Sequence, residues 1–303
     1  MTDMLSTKQV AEFLNVNEKM VYTLIADKGL PASKVTGKWL FPKHLVLQWI
    51  EAGTQNYPRT AQLPSYHGLV LIAGSNDLLL DKTIATFNLK HDDHMAMFGI
   101  SGSMGGLKAL KKNQCHIAAS HMLADNQEYN FPFLKDEMKE MTAVVNFCRR
   151  EQGIIVHKAN PKKIKSLKDL SNPHVRIVNR QIGTGTRQLF DRQLKLSGIK
   201  GSAIHGYEDC LARHMDVGLN ILTRKADAGP GIKAVANILG LGFIPFCWEQ
   251  FDLLINKERF FDQGIQYFLS LLKGKVIKAA ANTYGGYDLS MTGKMIYPEP
   301  DSE

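Results

Sequence analysis

VNRQIGTGTRQLFDRQL, residues Val178 to Leu194, follows an apolar run that begins at Val175. Polar residues end that run, and Gly183-Thr184-Gly185-Thr186-Arg187 follows. Leu189, Phe190, Gln193 and Leu194 then recur at helical spacing. The order is strand, tight glycine turn, first turn of a helix. Such a turn aims free backbone N–H groups and the positive end of the helix dipole at one spot. Thr184 and Thr186 add hydroxyls, and Arg180 or Arg187 adds fixed charge. The physical reading is an anion cradle, and the alternative is an ordinary strand-to-helix turn of an α/β domain. Nucleotide loops fail on spacing: no lysine follows the last glycine, and position 188 is Gln where a dinucleotide fingerprint needs its third glycine.

Outward from this stretch, the chain alternates apolar runs with helical patterns. The runs are Leu69–Ala73, Ile117–Ala119, Val144–Phe147, Ile154–Val156, Val175–Val178, Ala226–Gly229, Phe243–Phe246 and Leu253–Ile255. Helices fall near Leu78–Phe87, Gly105–Lys112, Thr186–Leu196, His214–Thr223, Ile232–Leu239 and Glu258–Leu272. The alternation predicts an α/β fold with largely parallel sheets, whose ligands lie beyond the carboxyl ends of strands. Two more small-hydroxyl turns precede helices, Gly74-Ser75-Asn76-Asp77 and Ser101-Gly102-Ser103-Met104-Gly105-Gly106. Each alone reads as a helix cap. Together with the GTGTR turn they suit an anion held mainly by neutral donors.

The first sixty residues have a different grammar. Ser6 and Thr7 cap a helix running to about Leu14, and a short turn through Asn15-Val16-Asn17 leads to a second helix, Glu18 to Lys28, ended by Gly29. Val21, Leu24 and Ile25 face inward, leaving Glu18, Lys19, Tyr22 and Thr23 outward. A hairpin turning at Thr36-Gly37 carries Lys34 and Lys38, and a third helix begins at Pro42. This is a helix-turn-helix with a basic wing suited to phosphate contact. Trp39 reads as core packing, Tyr22 as part of the DNA face. Gly53 to Ser65, polar with two prolines, reads as a linker.

Composition bounds the rest. At 303 residues the chain has room for about two domains. A net charge of +8 permits nucleic-acid contact. Four well-separated cysteines form no CxxC pair and read as buried small hydrophobes in a reducing compartment. No apolar segment approaches the roughly 18 residues of a membrane span, and MTDMLSTKQV has no basic patch followed by an apolar core. The expectation is a cytoplasmic protein with no membrane partner. His91-Asp92-Asp93-His94 reads as a solvated charged loop, Arg149-Arg150-Glu151 as a surface cluster, and Asp169 as a turn cap. No Ser-His-Asp or Cys-His spacing stands out, so neither an enzyme, a metal nor a cofactor is expected.

Two resemblances sharpen these expectations. STKQVAEFLNVNEKMVYTLIADKGLPASKVTGKWLFPKHLVLQWI resembles the excisionase-type winged helix-turn-helix related to the MerR class, over nearly all of residues 5 to 52. It implies that Asn17 to Thr23 read or brace double-stranded DNA and that Lys34 and Lys38 hold its backbone. Glu18 departs from the polar or basic residue often found there. AGSNDLLLD, GSMGGLKAL, REQGIIV, NRQIGTGTRQLFD, HMDVGL, ADAGPGI and GFIPF…FDLLI are similar, in that order, to the periplasmic-binding-protein-like domain of the molybdate-binding type, over about residues 66 to 272. That resemblance implies two α/β lobes around a ligand cleft, lobe one at about 66–146 plus 249–303 and lobe two at about 147–248. By motif, Ser75 and Ser103 would supply hydroxyls from the first lobe. Thr184, Gly185 and Thr186, with Arg187, would supply donors from the second, and Ala228-Gly229 a backbone N–H; His214 would face the cleft. Phe251 stands where such binders commonly place a tyrosine, which leaves molybdate or tungstate without a hydroxyl.

The expected whole is a helix-turn-helix domain at 1–53, a linker at 54–65 and a solute-sensing domain at 66–303. It would act as a DNA-binding transcriptional regulator, a homodimer on paired half-sites, responding to an oxyanion such as molybdate or tungstate. The rivals are a solute-binding protein or enzyme on the same fold, and a DNA-binding protein whose large domain only oligomerises.

Overall fold

The computed structural model describes residues 4–53, 68–137 and 142–297, so the linker expected at 54–65 lies outside the described residues. The chain divides into two compact units, residues 1–60 and 61–303.

In the first unit, β1 (Met4–Ser6) leads into α1 (Thr7–Phe13), which opens on a reciprocal cap between Ser6 and Gln9. Asn17 caps α2 (Glu18–Lys28), accepting from the Met20 N–H at 2.8 Å, and Gly29 ends it in the left-handed conformation at φ 64°. β2 (Ser33–Val35) and β3 (Lys38–Pro42) turn through Thr36 and Gly37, both at positive φ, and α3 (Lys43–Gly53) follows. β1 pairs with β3, a third strand that the sequence reading did not contain. Val10, Ala11, Val21, Leu30, Phe41 and Val46 form the core, with Trp39 and Trp49 packed on it.

The second unit runs β4 (Leu69–Gly74), α4 (Leu78–Lys90), β5 (Met95–Ile100), α5 (Gly102–Lys111), β6 (Ile117–Ser120) and α6 (Phe131–Glu137). The long β7 (Thr142–Val156) crosses into β8 (Asn179–Arg180), α7 (Gly185–Leu196), β9 (Cys210–Leu211), α8 (His214–Leu222), β10 (Ala228–Ile232) and α9 (Lys233–Ile238). An equally long β11 (Gly242–Asn256) returns to α10 (Gln263–Leu271), α11 (Lys275–Tyr284), β12 (Tyr287–Asp288) and β13 (Met295–Ile296). The main sheet has the order β10-β7-β11-β6-β4-β5, with β12 and β13 on β7.

This sheet is mixed, which corrects the largely parallel expectation. β4 pairs in parallel with β5 and β6, whereas β10, β7, β11 and β6 are joined antiparallel. The correction has one cause. Val144–Phe147 and Ile154–Val156 are two ends of one strand, as are Phe243–Phe246 and Leu253–Ile255. Between those ends lie charged residues that look like loop, but Arg150 pairs in register with Glu249 and Arg149 with Gln250. A charged stretch can run through a sheet when its charges neutralise one another across the strands.

β7 and β11 therefore belong to two lobes. Val145, Phe147 and Cys148 join Val70, Ile72, Phe87 and Phe268 in one core. Ile154 and Val156 join Phe190 and Leu194 in another, and Ile155 packs with Val217 and Ile221. Both strands leave one core and enter the next at their polar middles.

Candidate functional site

The polar middles converge on a cluster of buried charges. Arg150 has no exposed surface; its Nε donates to Glu249 and its Nη1 donates to Asp77 Oδ2 at 2.9 Å. The surface cluster expected at 149–151 is thus corrected at its central residue. Burial alone would lower the Arg150 pKa, but the Glu249 and Asp77 carboxylates outweigh it and hold the guanidinium charged. Asp77 is also the N-cap of α4, accepting from the Leu79 and Leu80 N–H groups, and Tyr287 donates to it at 3.0 Å. Burial works against an ionised Glu249, yet Arg150, His121 and the hydrogen bond from Gln152 hold its pKa down at about 2.

Each hydroxyl expected to meet an anion can be checked for the proton it has left to donate. Ser75 Oγ lies 2.7 Å from His121 Nε2, and His121 Nδ1 lies 2.8 Å from Glu249 Oε2. The ionised carboxylate fixes the imidazole proton on Nδ1, so Nε2 accepts and Ser75 gives its proton to histidine. Thr184 Oγ1 donates to Gln181 O at 2.7 Å and caps α7 by accepting from the Arg187 N–H. Both protons therefore have acceptors within the chain. Ser103 and Thr186 keep theirs: Ser103 Oγ accepts from the His121 N–H at 3.2 Å, and Thr186 Oγ1 accepts from Gln152 Nε2 at 3.1 Å.

Arg187 is also turned to structure. It pairs with Asp191 at 3.0 Å, lies 4.2 Å over the Tyr207 ring and donates to Arg180 O. Ala228 and Gly229 sit in the β10–β7 ladder opposite Val156 and Ile155, and Gly229 packs against Val178 and Val217. Gly185 is required for close approach: a Cβ there would lie 2.5 Å from His121 Nδ1. The GTGTR turn of lobe two therefore rests directly on the histidine of lobe one.

What remains unsatisfied defines the site. Arg180 is 1% exposed; its Nη1 donates to Leu211 O at 3.1 Å, while its Nε has no hydrogen-bond partner and no carboxylate pairs with it among the described residues. Burial, then the Arg150 charge, lowers its pKa to about 10 against partial relief from Asp216 and Glu249. His214 is fully buried with both ring nitrogens unpartnered, and burial followed by Arg180 and Arg150 keeps it neutral. Arg150 Nη2 and Gln152 Oε1 are also buried without a partner. Phe251 packs beneath, with Arg150 Cζ 4.3 Å over its ring and the His121 ring 5.5 Å away. It lines the apolar side of the cluster and donates nothing.

Of the expected residues, the fold brings Ser75, Ser103, Gly185, Thr186 and His214 to this cluster or its hydrogen-bonded surround. Sequence reasoning missed His121, Asp77, Gln152, Glu249 and the role of Arg150. The usable signal was the recurrence of Glu-Gln in REQ and WEQ within two apolar runs, polar interruptions too short to be loops. Elsewhere, His91 stacks on Tyr267 at 4.7 Å and His94 meets that ring edge-on, so the histidines of the 91–94 loop are packed rather than solvated. Among the described residues no group of three or more metal-binding side chains is placed to hold an ion. Asp169 caps its turn with Ser166.

In the first unit Glu18, Lys19, Tyr22 and Thr23 are exposed on α2, as are Lys34 and Lys38 on the hairpin. The Asn17 side-chain oxygen is occupied in capping α2, where it accepts from the Met20 N–H. Lys34 Nζ lies 5.7 Å over the Trp39 ring, and the Trp49 indole N–H donates to Lys28 O at 2.9 Å.

Comparison with known proteins adds two family matches, a helix-turn-helix domain at residues 4–54 and a PBP superfamily domain at residues 84–273. The uncharacterized protein YvgK of Bacillus subtilis is 29% identical over 97% of this chain and 98% of its own. Among solved structures, a phosphate-bound protein assigned to phosphate ABC transport from Clostridium perfringens matches with a TM-score of 0.55 at 15% identity, covering 72% of this chain and 98% of that one. The effector-binding domain of QuiR in complex with shikimate matches with a TM-score of 0.50 at 13% identity, covering 71% and 98%. OxyR of Corynebacterium glutamicum matches with a TM-score of 0.51 at 10% identity, covering 92% and 91%. At these identities the structural matches speak for the fold alone. Among the described residues no helix is long and apolar enough to cross a membrane. With a helix-turn-helix domain ahead of it, the larger part of the chain belongs to the PBP superfamily.

Proposed function

We propose that this protein is a DNA-binding regulator whose larger unit senses a small anionic solute held between its two lobes. The observation that carries the reading is Arg180, a buried guanidinium with no carboxylate of its own, set in a cluster with the unpartnered nitrogens of His214. A buried charge without a counterion is costly, and an anionic ligand relieves that cost only when bound. Gln152 narrows the chemistry. Its Nε2 is committed to Glu249 and Thr186, which leaves Oε1 as an acceptor. The fitting solute therefore carries both an anionic group and a hydrogen-bond donor, as hydroxycarboxylates, amino acids and hydrogen phosphate do. Molybdate and tungstate, suggested by the family resemblance, supply charge but no donor.

Thermal shift tests this with shikimate, phosphate, sulfate, molybdate and tungstate. Stabilisation is expected from a donor-bearing anion, rising with concentration by the usual mass-action relation, and it should vanish in Arg180→Met. Stabilisation by no anion at all, or an undiminished shift in Arg180→Met, would remove the reading. For the DNA half, Lys34→Ala with Lys38→Ala should weaken operator binding and reduce the salt slope of log K by about two. An unchanged slope would take the hairpin off the phosphate backbone. The regulatory reading also favours a dimer on paired half-sites and an intracellular setting, since one small winged unit makes few base contacts.

A further inference from the structure

Ser75, His121 and Glu249 form an unbroken hydrogen-bonded line, Oγ to Nε2 at 2.7 Å and Nδ1 to Oε2 at 2.8 Å. All three are buried. Ser75 sits between β4 and α4, its N–H bonded to Ala119 O, with Gly74 before it at φ 131°. His121 directly follows β6, and Glu249 lies in the middle of β11. We propose that this line is a nucleophilic relay, in which Ser75 attacks the acyl carbon of a small ester that carries an anionic group, His121 takes its proton and Glu249 orients the imidazole.

Three observations support a relay over a latch between the lobes. Ser75 and His121 both belong to lobe one and Glu249 to the middle of β11, so no residue of the line comes from the helices and short strands of lobe two. The carboxylate accepts at Nδ1, which leaves the Nε2 lone pair facing the serine hydroxyl, the tautomer a general base requires. Finally, the Arg150 guanidinium is pinned at one end to Glu249 and at the other to Asn76 O and Asp77, the two residues after Ser75. Its Nη2 has no partner, and the relay assigns it as the donor to the developing oxyanion.

The chemistry balances with water as the only co-reactant. Ser75 Oγ bonds to the acyl carbon and its proton passes to His121 Nε2. The ester C–O bond breaks, and the leaving alcohol takes that proton. Water then attacks the acyl-serine, gives a proton to His121 and releases the carboxylic acid, restoring Ser75. The anionic half of the substrate rests on the Arg180 reading; the relay does not.

The test is covalent labelling of the full chain with a small, uncharged alkyl fluorophosphonate, followed by intact mass and peptide mapping. One adduct on Ser75 is expected, absent in Ser75→Ala and formed at least about 100-fold more slowly in His121→Asn. The probe carries no charge, so its labelling does not call on the anion site, which separates this test from the anion test above. The wild-type pH profile needs no variant: burial lowers the His121 pKa below the ordinary imidazole value, so the labelling rate should be level with pH above the ordinary imidazole range, whereas an unassisted serine goes on gaining about tenfold per pH unit there. No adduct in wild type, an adduct elsewhere, equal labelling in His121→Asn, or a tenfold-per-unit profile would each overturn the proposal.

Discussion

Arg150 on β7 and Arg180 on β8 are both almost wholly removed from solvent, and the molecule treats them in opposite ways. Arg150 stands in the strand shared by both lobes and is matched by two carboxylates, one from the turn after β4 and one from β11. Arg180 stands in lobe two with one carbonyl for Nη1 and no ion pair among the described residues. Burial lowers the pKa of either. Two carboxylates reverse the effect at Arg150, while Arg180 keeps a pKa lowered to about 10. On the proposed reading the contrast separates architecture from recognition: the charge paired internally belongs to the fold, and the charge left without a carboxylate belongs to the ligand site.

The comparison breaks most visibly at Arg150. Arg150→Met leaves Asp77 and Glu249 buried without their cation and should destabilise the second unit by about 3–5 kcal/mol, read from chemical denaturation. Arg180→Met, of similar volume, should leave the ligand-free unit as stable as before or more so by about 1–4 kcal/mol. Equal destabilisation by both would erase the distinction.

A smaller effect comes from Asp252, which accepts from Asn130, Asn146 and Gln250. Burial raises its pKa from 3.8 to about 6 against those three hydrogen bonds, whereas Glu249 moves the other way, from 4.5 to about 2. A raised carboxyl contributes stability that is complete below pH 4 and lost as pH rises through 6; a lowered one contributes above about 4.5 and is lost as pH falls towards 2. The melting temperature of the second unit should therefore rise on going from pH 7 to 5 and fall again below 4. Asp252→Asn should flatten the first change and spare the second.

The sequence was most legible where the determining contacts are local. Ser6 with Gln9, Asn17 with Met20, and Thr36 with Gly37 place the helices and hairpin of the first unit within a few residues of themselves. The GTGTR turn was legible for the same reason, as the start of α7. The buried cluster was not. Ser75 and His121 are 46 residues apart, His121 and Glu249 128 apart, and Arg150 and Glu249 99 apart. No spacing motif spans such distances, and the charged and amide residues of REQ and WEQ interrupt the hydrophobic pattern that would have revealed two continuous strands. The partners of the hydroxyls were hidden for a related reason, since residue type does not reveal whether a proton has already been given away.

Gly185 turns this geometry into genetics. A methyl at that position would meet the His121 ring before lobe two had settled against lobe one. Gly185→Ala should thus weight the population towards the separated form and raise the solute concentration needed for closure, by an amount set by the penalty of the clash. In cells carrying a reporter behind the operator, such an allele would keep the unliganded output at solute levels that switch the wild type. A screen for regulators deaf to their signal should recover side chains at this glycine alongside losses of Arg180, and the two classes would part on excess solute: only the glycine alleles should regain hearing.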